Sequence, residues 1–230
     1  MYKVKKINNK DVYYSTLLEK YPVEHFFTTR NLIVKENLNL ISNYLGISEE
    51  NLIHPHQIHS TNVEFVSDKK EYPDCDGLIL DKPNYAIYLN FADCTPLILY
   101  DKKQNIIAVS HAGWRGTAQK IGPKTVFKMK SNPKDIIALI GPCICFKCFE
   151  TSPEAIEQLS STVKNTSGLF SGRYADLKKI NKRQLEEIGV EFFDIIPFCS
   201  VCDNDKFFSY RKENKTKNRH SAVVCLKNEF

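Results

Sequence analysis

Four short apolar runs, at residues 77–80, 86–89, 95–100 and 106–110, crowd into one stretch of the chain with only a few residues between them. Parallel neighbours in a sheet need a crossover of a dozen or more residues, usually a helix. The gaps here leave no room for one, so a purely parallel, doubly wound sheet is excluded for this stretch. A mixed sheet is the simplest alternative.

Helical patterns lie around it. Residues 31–45 carry Leu38, Ile41 and Leu45 at helical spacing and stop at Gly46, which predicts a helix with a glycine cap. Residues 117–129, 153–162 and 177–188 read the same way, the second with proline near its start and the third ending at Gly189. Further strands are expected at 25–30, 62–66, 136–140, 192–196, 206–210 and 221–226, and a hairpin around Asn8-Asn9. The expectation is an α/β (α+β) chain, with mixed β-sheet layers flanked by helices in one domain over residues 1–230.

An apolar content of 42% supports a sizeable core. No apolar run approaches 18 residues, and the start, MYKVKKINNKDVYY, has no apolar segment or cleavage site of the secretory kind. A cytoplasmic protein is expected, with no membrane partner. The net charge of +5 is modest, and the basic stretch at 211–219 reads as a solvated loop, so no nucleic-acid partner is expected. Eight cysteines without a secretory signal are expected to be reduced thiols. That turns attention to metal binding and nucleophilic chemistry.

Three segments concentrate reactive side chains at strand ends: His54-Pro55-His56-Gln57-Ile58-His59, Ala92-Asp93-Cys94-Thr95-Pro96 and Ser110-His111-Ala112-Gly113-Trp114-Arg115-Gly116. They hold four of the six histidines. A catalytic zinc takes three nitrogen or thiolate ligands and leaves a fourth position open. His59, Cys94 and His111 meet that description. The plainer readings are a surface histidine for His59, a small core residue for Cys94 and a surface ion pair for Arg115. His54 and His56 read as loop residues splayed by Pro55. Two further pairs, Cys145/Cys148 and Cys199/Cys202, are some fifty residues apart, wider than a zinc ribbon wants. They read as reduced thiols without a fixed role, with a structural site as the minor alternative.

The segments HFFTTR (25–30), HQIHSTNV (56–63), DCDGLIL (74–80), ADCTPLILYD (92–101), HAGWRGT (111–117), IGPCI (140–144) and FFSYR (207–211) span nearly the whole chain. Together they resemble the laccase-domain family, also called YfiH or multicopper polyphenol oxidase-like, described as zinc-dependent purine nucleoside phosphorylases. The resemblance implies that His59, Cys94 and His111 hold Zn2+ and form the catalytic centre. It implies Arg30 as a pocket residue; Arg115 is the second candidate for phosphate or ribose. Family members often follow that first arginine with a Gly-Gly-x-Ser loop, whereas this chain runs Arg30-Asn31-Leu32-Ile33, which shortens one pocket wall. Near the C-terminus Lys217-Asn218-Arg219 stands for the family's Thr-Gly-Arg.

The implied activity is phosphorolysis of adenosine, inosine, guanosine or methylthioadenosine, with adenosine deamination as a second activity and a monomer as the default state. Three other classes compete. Cys94 and His111 can be read as a cysteine hydrolase dyad, as in an amidase acting on cell-wall precursor peptides. A partner-binding protein without catalysis would be expected to have lost one of the three candidate ligands. A multicopper oxidase needs many more histidines than six.

Overall fold

The computed structural model describes residues 1–68 and 71–227. Two six-stranded sheets face each other. The first runs Tyr2–Ile7, Lys10–Ser15, Val23–Thr28, His220–Leu226, Ala86–Phe91 and Leu52–Ile53; the second runs Phe192–Ile195, Ile136–Ile140, Thr95–Asp101, Ile106–Ala112, Gly77–Leu80 and Val63–Phe65. The crowded runs at 77–110 do pair antiparallel where they meet in the second sheet. Among the described strands, the parallel pairs each involve an edge strand: Leu52–Ile53, Val63–Phe65 or Phe192–Ile195. The α+β class with mixed sheets is the one expected.

Burial explains the layering. Phe27, Ile87, Leu89, Phe91 and Val224 of the first sheet meet Leu78, Ile98, Ile107, Val109 and Leu139 of the second in one shared core. The outer face of the second sheet is covered by the helices Ile121–Lys128 and Leu177–Glu187, through Ile121, Val126 and Leu185. The outer face of the first is covered by Leu38–Leu45 through Ile41 and Leu45. Strands buried on both sides lose the alternation of half-exposed strands and read as continuous apolar runs. Among the described residues no helix is long and apolar enough to cross a membrane.

Several local expectations need correction. The helix expected over 31–45 begins only at Leu38; residues Val34–Glu36 form a 3-10 turn that buries Val34, and Asn37 interrupts the two. The helix expected over 117–129 is two, Trp114–Ala118 and Ile121–Lys128, separated by Lys120 at φ 60°. Pro123 is the physical reason, since its ring in a continuous helix would meet the carbonyl of Gln119. Residues 206–210 are not a strand. Side chains satisfy that backbone instead: Ser209 N–H donates to Glu213 and Asn204 Nδ2 donates to the Phe207 carbonyl. The hairpin turns where expected, with Asn8 and Asn9 both in the left-handed region.

Candidate active site

Cys94 sits where the chain changes sheets. Ala86–Phe91 belongs to the first sheet and Thr95–Asp101 to the second, so residues 92–94 form the corner between them. Asp93 turns that corner at φ 83°, a left-handed conformation that a non-glycine residue adopts only where its surroundings over-determine it. They do so here. Ser200 Oγ donates to Asp93 Oδ1 at 2.6 Å and Arg211 N–H donates to Oδ2 at 2.7 Å. Ile144 N–H donates to the Asp93 carbonyl at 3.0 Å.

His111 lies inside the strand Ile106–Ala112 rather than after it. Thr95 pairs with Ala112 and Pro96 with His111, so Cys94 and Gly113 fall beside each other where the ladder ends. Gly113 has no room for a side chain. A Cβ there would lie 3.0 Å from Cys94 Sγ and 3.1 Å from His59 Cδ2.

His59 comes from the loop after Leu52–Ile53 and is held at φ 66°. Asp76, fully buried, organises this loop. Its carboxylate accepts backbone N–H bonds from Ile58 at 3.1 Å, His59 at 3.0 Å and Ser60 at 2.6 Å, and one from Ser60 Oγ at 2.9 Å. The same carboxylate bonds His111 Nδ1 at 2.8 Å. Burial disfavours the Asp76 anion, but His111 and these N–H donors outweigh it and hold its pKa at about 2.

The three expected site residues therefore converge. Their donor atoms lie within 4.8 Å of one another, and Cys94 Sγ is 3.8 Å from His59 Nε2. A sulfur and a nitrogen bound tetrahedrally to one zinc would be about 3.6 Å apart, from zinc distances of about 2.3 and 2.05 Å. With Nδ1 engaged by Asp76, the other ring nitrogen of His111 is left free to ligate, the arrangement by which a carboxylate orients a metal-bound imidazole. His111 is buried, Cys94 half-buried and His59 exposed, so the cluster opens to solvent on the His59 side. Burial opposes the charged form of both Cys94 and His111. Their mutual attraction, with Asp76 behind His111, wins, pulling the thiol down and pushing the imidazole up.

The two arginines differ. Arg115 is exposed on the helix that starts beside Gly113; its guanidinium lies 4.4 Å from the Trp114 ring centroid, and among the described residues no carboxylate pairs with it. Arg30 has its guanidinium engaged by Glu213 at 2.6 Å, by the Asn204 carbonyl and by the Phe208 ring. Those contacts brace the 204–213 segment. His54 stacks on Tyr88, and exposed His56 lies 3.8 Å from Asp74; neither joins the cluster. Sequence reasoning gave Asp76 no role. Its signal was the acidic Asp74-Cys75-Asp76 directly before a buried strand.

Comparison with known proteins gives a consistent picture. The family model for multi-copper polyphenol oxidoreductase laccase matches residues 27–227. A purine nucleoside phosphorylase of Clostridium acetobutylicum is 33% identical over 177 residues, 74% of this chain and 75% of that one. An adenosine deaminase, RL5, from an unknown prokaryotic organism is 32% identical over 189 residues, 73% of this chain and 72% of its own. Among solved structures, the hypothetical protein YfiH of Bacillus licheniformis has a TM-score of 0.86 at 25% identity, covering 94% of this chain and 96% of its own. YlmD from Geobacillus stearothermophilus has a TM-score of 0.83 at 26% identity, covering 90% and 93%.

Proposed function

The chain belongs to the multi-copper polyphenol oxidoreductase laccase family, and on that premise we propose that it is a zinc-dependent purine nucleoside phosphorylase with adenosine deamination as a second activity. Its substrates are adenosine, inosine, guanosine or methylthioadenosine, with phosphate as the attacking group. His59, Cys94 and His111 are the metal ligands and the catalytic centre. The observation that carries this reading is the convergence of one thiol and two imidazoles, with Asp76 holding both histidines from behind.

The donor set suits zinc better than copper. One sulfur and two nitrogens make a three-ligand catalytic zinc site, while the family's descriptive name implies several copper centres. Among the described residues only one other group of side chains is disposed to hold a metal, and it contains no histidine. Zinc, when bound, supplies a Lewis acid and lowers the pKa of a bound water to about 7. The protein's own groups do the rest. Asp76 fixes the tautomer and orientation of His111 and the backbone of His59. Gly113 keeps the floor of the site free of side-chain atoms. Arg115, exposed beside it, presents a forked cation suited to phosphate. Arg30 contributes through the segment it braces, as part of the pocket wall.

The test is incubation of purified protein with adenosine, with and without inorganic phosphate, resolving adenine, inosine and hypoxanthine. Adenine formed only with phosphate supports phosphorolysis. Inosine formed without phosphate supports deamination. No turnover of adenosine, inosine, guanosine or methylthioadenosine, with or without phosphate and at any zinc loading, overturns the reading.

One observation favours a second reading. Cys94 and His111 lie together in the cluster, and their mutual attraction pulls the thiol down and pushes the imidazole up, as a cysteine hydrolase dyad requires, for example in an amidase acting on cell-wall precursor peptides. Amidase activity that survives a chelator and is abolished by iodoacetamide would select it.

A further inference from the structure

A second set of metal donors lies outside this centre. Cys145 and Cys148 form one Cys-x-x-Cys turn, closed by the Cys148 N–H to the Cys145 carbonyl at 3.0 Å. Cys199 and Cys202 form another, closed by the Asp203 N–H to the Cys199 carbonyl at 2.8 Å. The sheets bring the two turns together: Cys143 bridges Cys199 in parallel fashion at the end of Ile136–Ile140. All four sulfurs lie within 4.8 Å of one another, as free thiols.

The geometry is that of one tetrahedral ion. Four sulfurs about 2.3 Å from a common zinc lie about 3.8 Å apart, and Cys148 Sγ is 3.6 Å from Cys202 Sγ. Clusters of two or more irons distribute their cysteines over different metals, which spreads the sulfurs wider than this. Backbone donors already face the sulfurs: Cys202 N–H points to Cys199 Sγ at 3.4 Å and Cys145 N–H to the same sulfur at 3.2 Å. Such N–H groups stabilise thiolate charge. Four thiolates on a divalent ion leave net negative charge, and cations flank both turns. Arg211 Nη1 donates to the Cys148 carbonyl at 3.0 Å, and Lys212 Nζ donates to the Val201 carbonyl at 3.0 Å.

We propose that Cys145, Cys148, Cys199 and Cys202 bind a second, structural zinc ion, separate from the His59–Cys94–His111 centre. Its position gives it a task. The two turns carry Ile144, Ser200 and, through Arg211, the segment beyond, and these are the groups that clamp Asp93 beside Cys94. The ion ties together the loops that hold the sheet-crossing corner in its left-handed conformation.

The test is the metal content of the full chain, purified under reducing conditions with zinc present. Two zinc ions per chain are expected. His111→Ala should leave one, and Cys202→Ser, at an exposed position, should also lose one while keeping the other. Cobalt(II) loaded into His111→Ala should give the intense visible and sulfur-to-cobalt bands of a tetrathiolate, absent in the combined His111→Ala, Cys202→Ser protein. Should Cys202→Ser fail to fold, the intact cysteines of His111→Ala still decide the matter through that spectrum. A His111→Ala protein with no zinc and no cobalt–thiolate bands overturns the proposal. So does a native protein in which these four thiols are freely alkylated or Cys148 and Cys202 are joined as a disulfide in the presence of zinc.

Discussion

The ring Nδ1 of His111 lies 2.8 Å from Oδ1 of Asp76, and both side chains are buried. Asp76 reaches the other histidine of the cluster as well, through the backbone N–H of His59. One carboxylate therefore positions two of the three candidate donors. Asp76→Asn keeps the shape but turns an amide toward N–H groups that need an acceptor. Zinc at the His59–Cys94–His111 centre is expected to bind about 10–100-fold more weakly, with activity falling in parallel. A competition titration with a chromophoric chelator measures this; unchanged affinity removes Asp76 from the site.

Gly113→Ala tests how close the backbone must come. The added Cβ would press on Cys94 Sγ and His59 Cδ2 at 3.0 and 3.1 Å. Overpacking of this kind costs about 1–3 kcal/mol, and here it falls on two of the proposed ligands. Activity and zinc content should drop, while far-UV circular dichroism stays that of the native protein.

Arg115 and Arg30 should separate kinetically. Arg115→Met is expected to raise KM for phosphate about 10–100-fold, the loss of a charge-assisted hydrogen bond of about 1.5–3 kcal/mol, with zinc content and melting temperature unchanged. Arg30→Met leaves Glu213 without its cation and Asn204 without a donor. Its main effect should be a lower melting temperature. An Arg30 variant that melts normally but has lost phosphate saturation would reverse the two roles.

Stability should fall in mild acid because two histidines are buried as neutral rings. Burial lowers the pKa of His25 to about 4 and that of His220 to about 3. The unfolded chain protonates both near 6.5, while the folded protein resists protonation until those lower values. Their contribution is thus fully present above pH 6.5 and is lost progressively as the pH falls toward 4. For His25 the loss is on the order of 3 kcal/mol, at about 1.4 kcal/mol per pKa unit. Urea unfolding at pH 7, 5.5 and 4.5 measures it. His25→Gln, which can still accept the Ser15 N–H that His25 Nε2 takes at 3.0 Å, should flatten the dependence.

Local chemistry was legible along the chain. The glycine stops at Gly46 and Gly189 act only on their neighbours, and both fall at left-handed helix ends. Buried strands such as Gly77–Leu80 and Ile136–Ile140 stand out because a strand covered on both faces is apolar throughout. His59, Cys94 and His111 were identifiable as candidates because each carries its own short motif. Segments 117–129 and 206–210 were misread because Pro123 and the side chains of Asn204 and Glu213 override the apparent pattern.

Tertiary structure alone decided the rest. A carboxylate such as Asp76 looks in sequence like any turn residue; its role exists only because the Gly77–Leu80 strand ends beneath both the 58–60 loop and His111. The two Cys-x-x-Cys pairs are some fifty residues apart along the chain, yet parallel pairing near Cys143 and Cys199 closes that gap. Motif chemistry is set by neighbours in the chain, whereas burial, charge partners and ligand convergence depend on distances that only the packing of two sheets fixes.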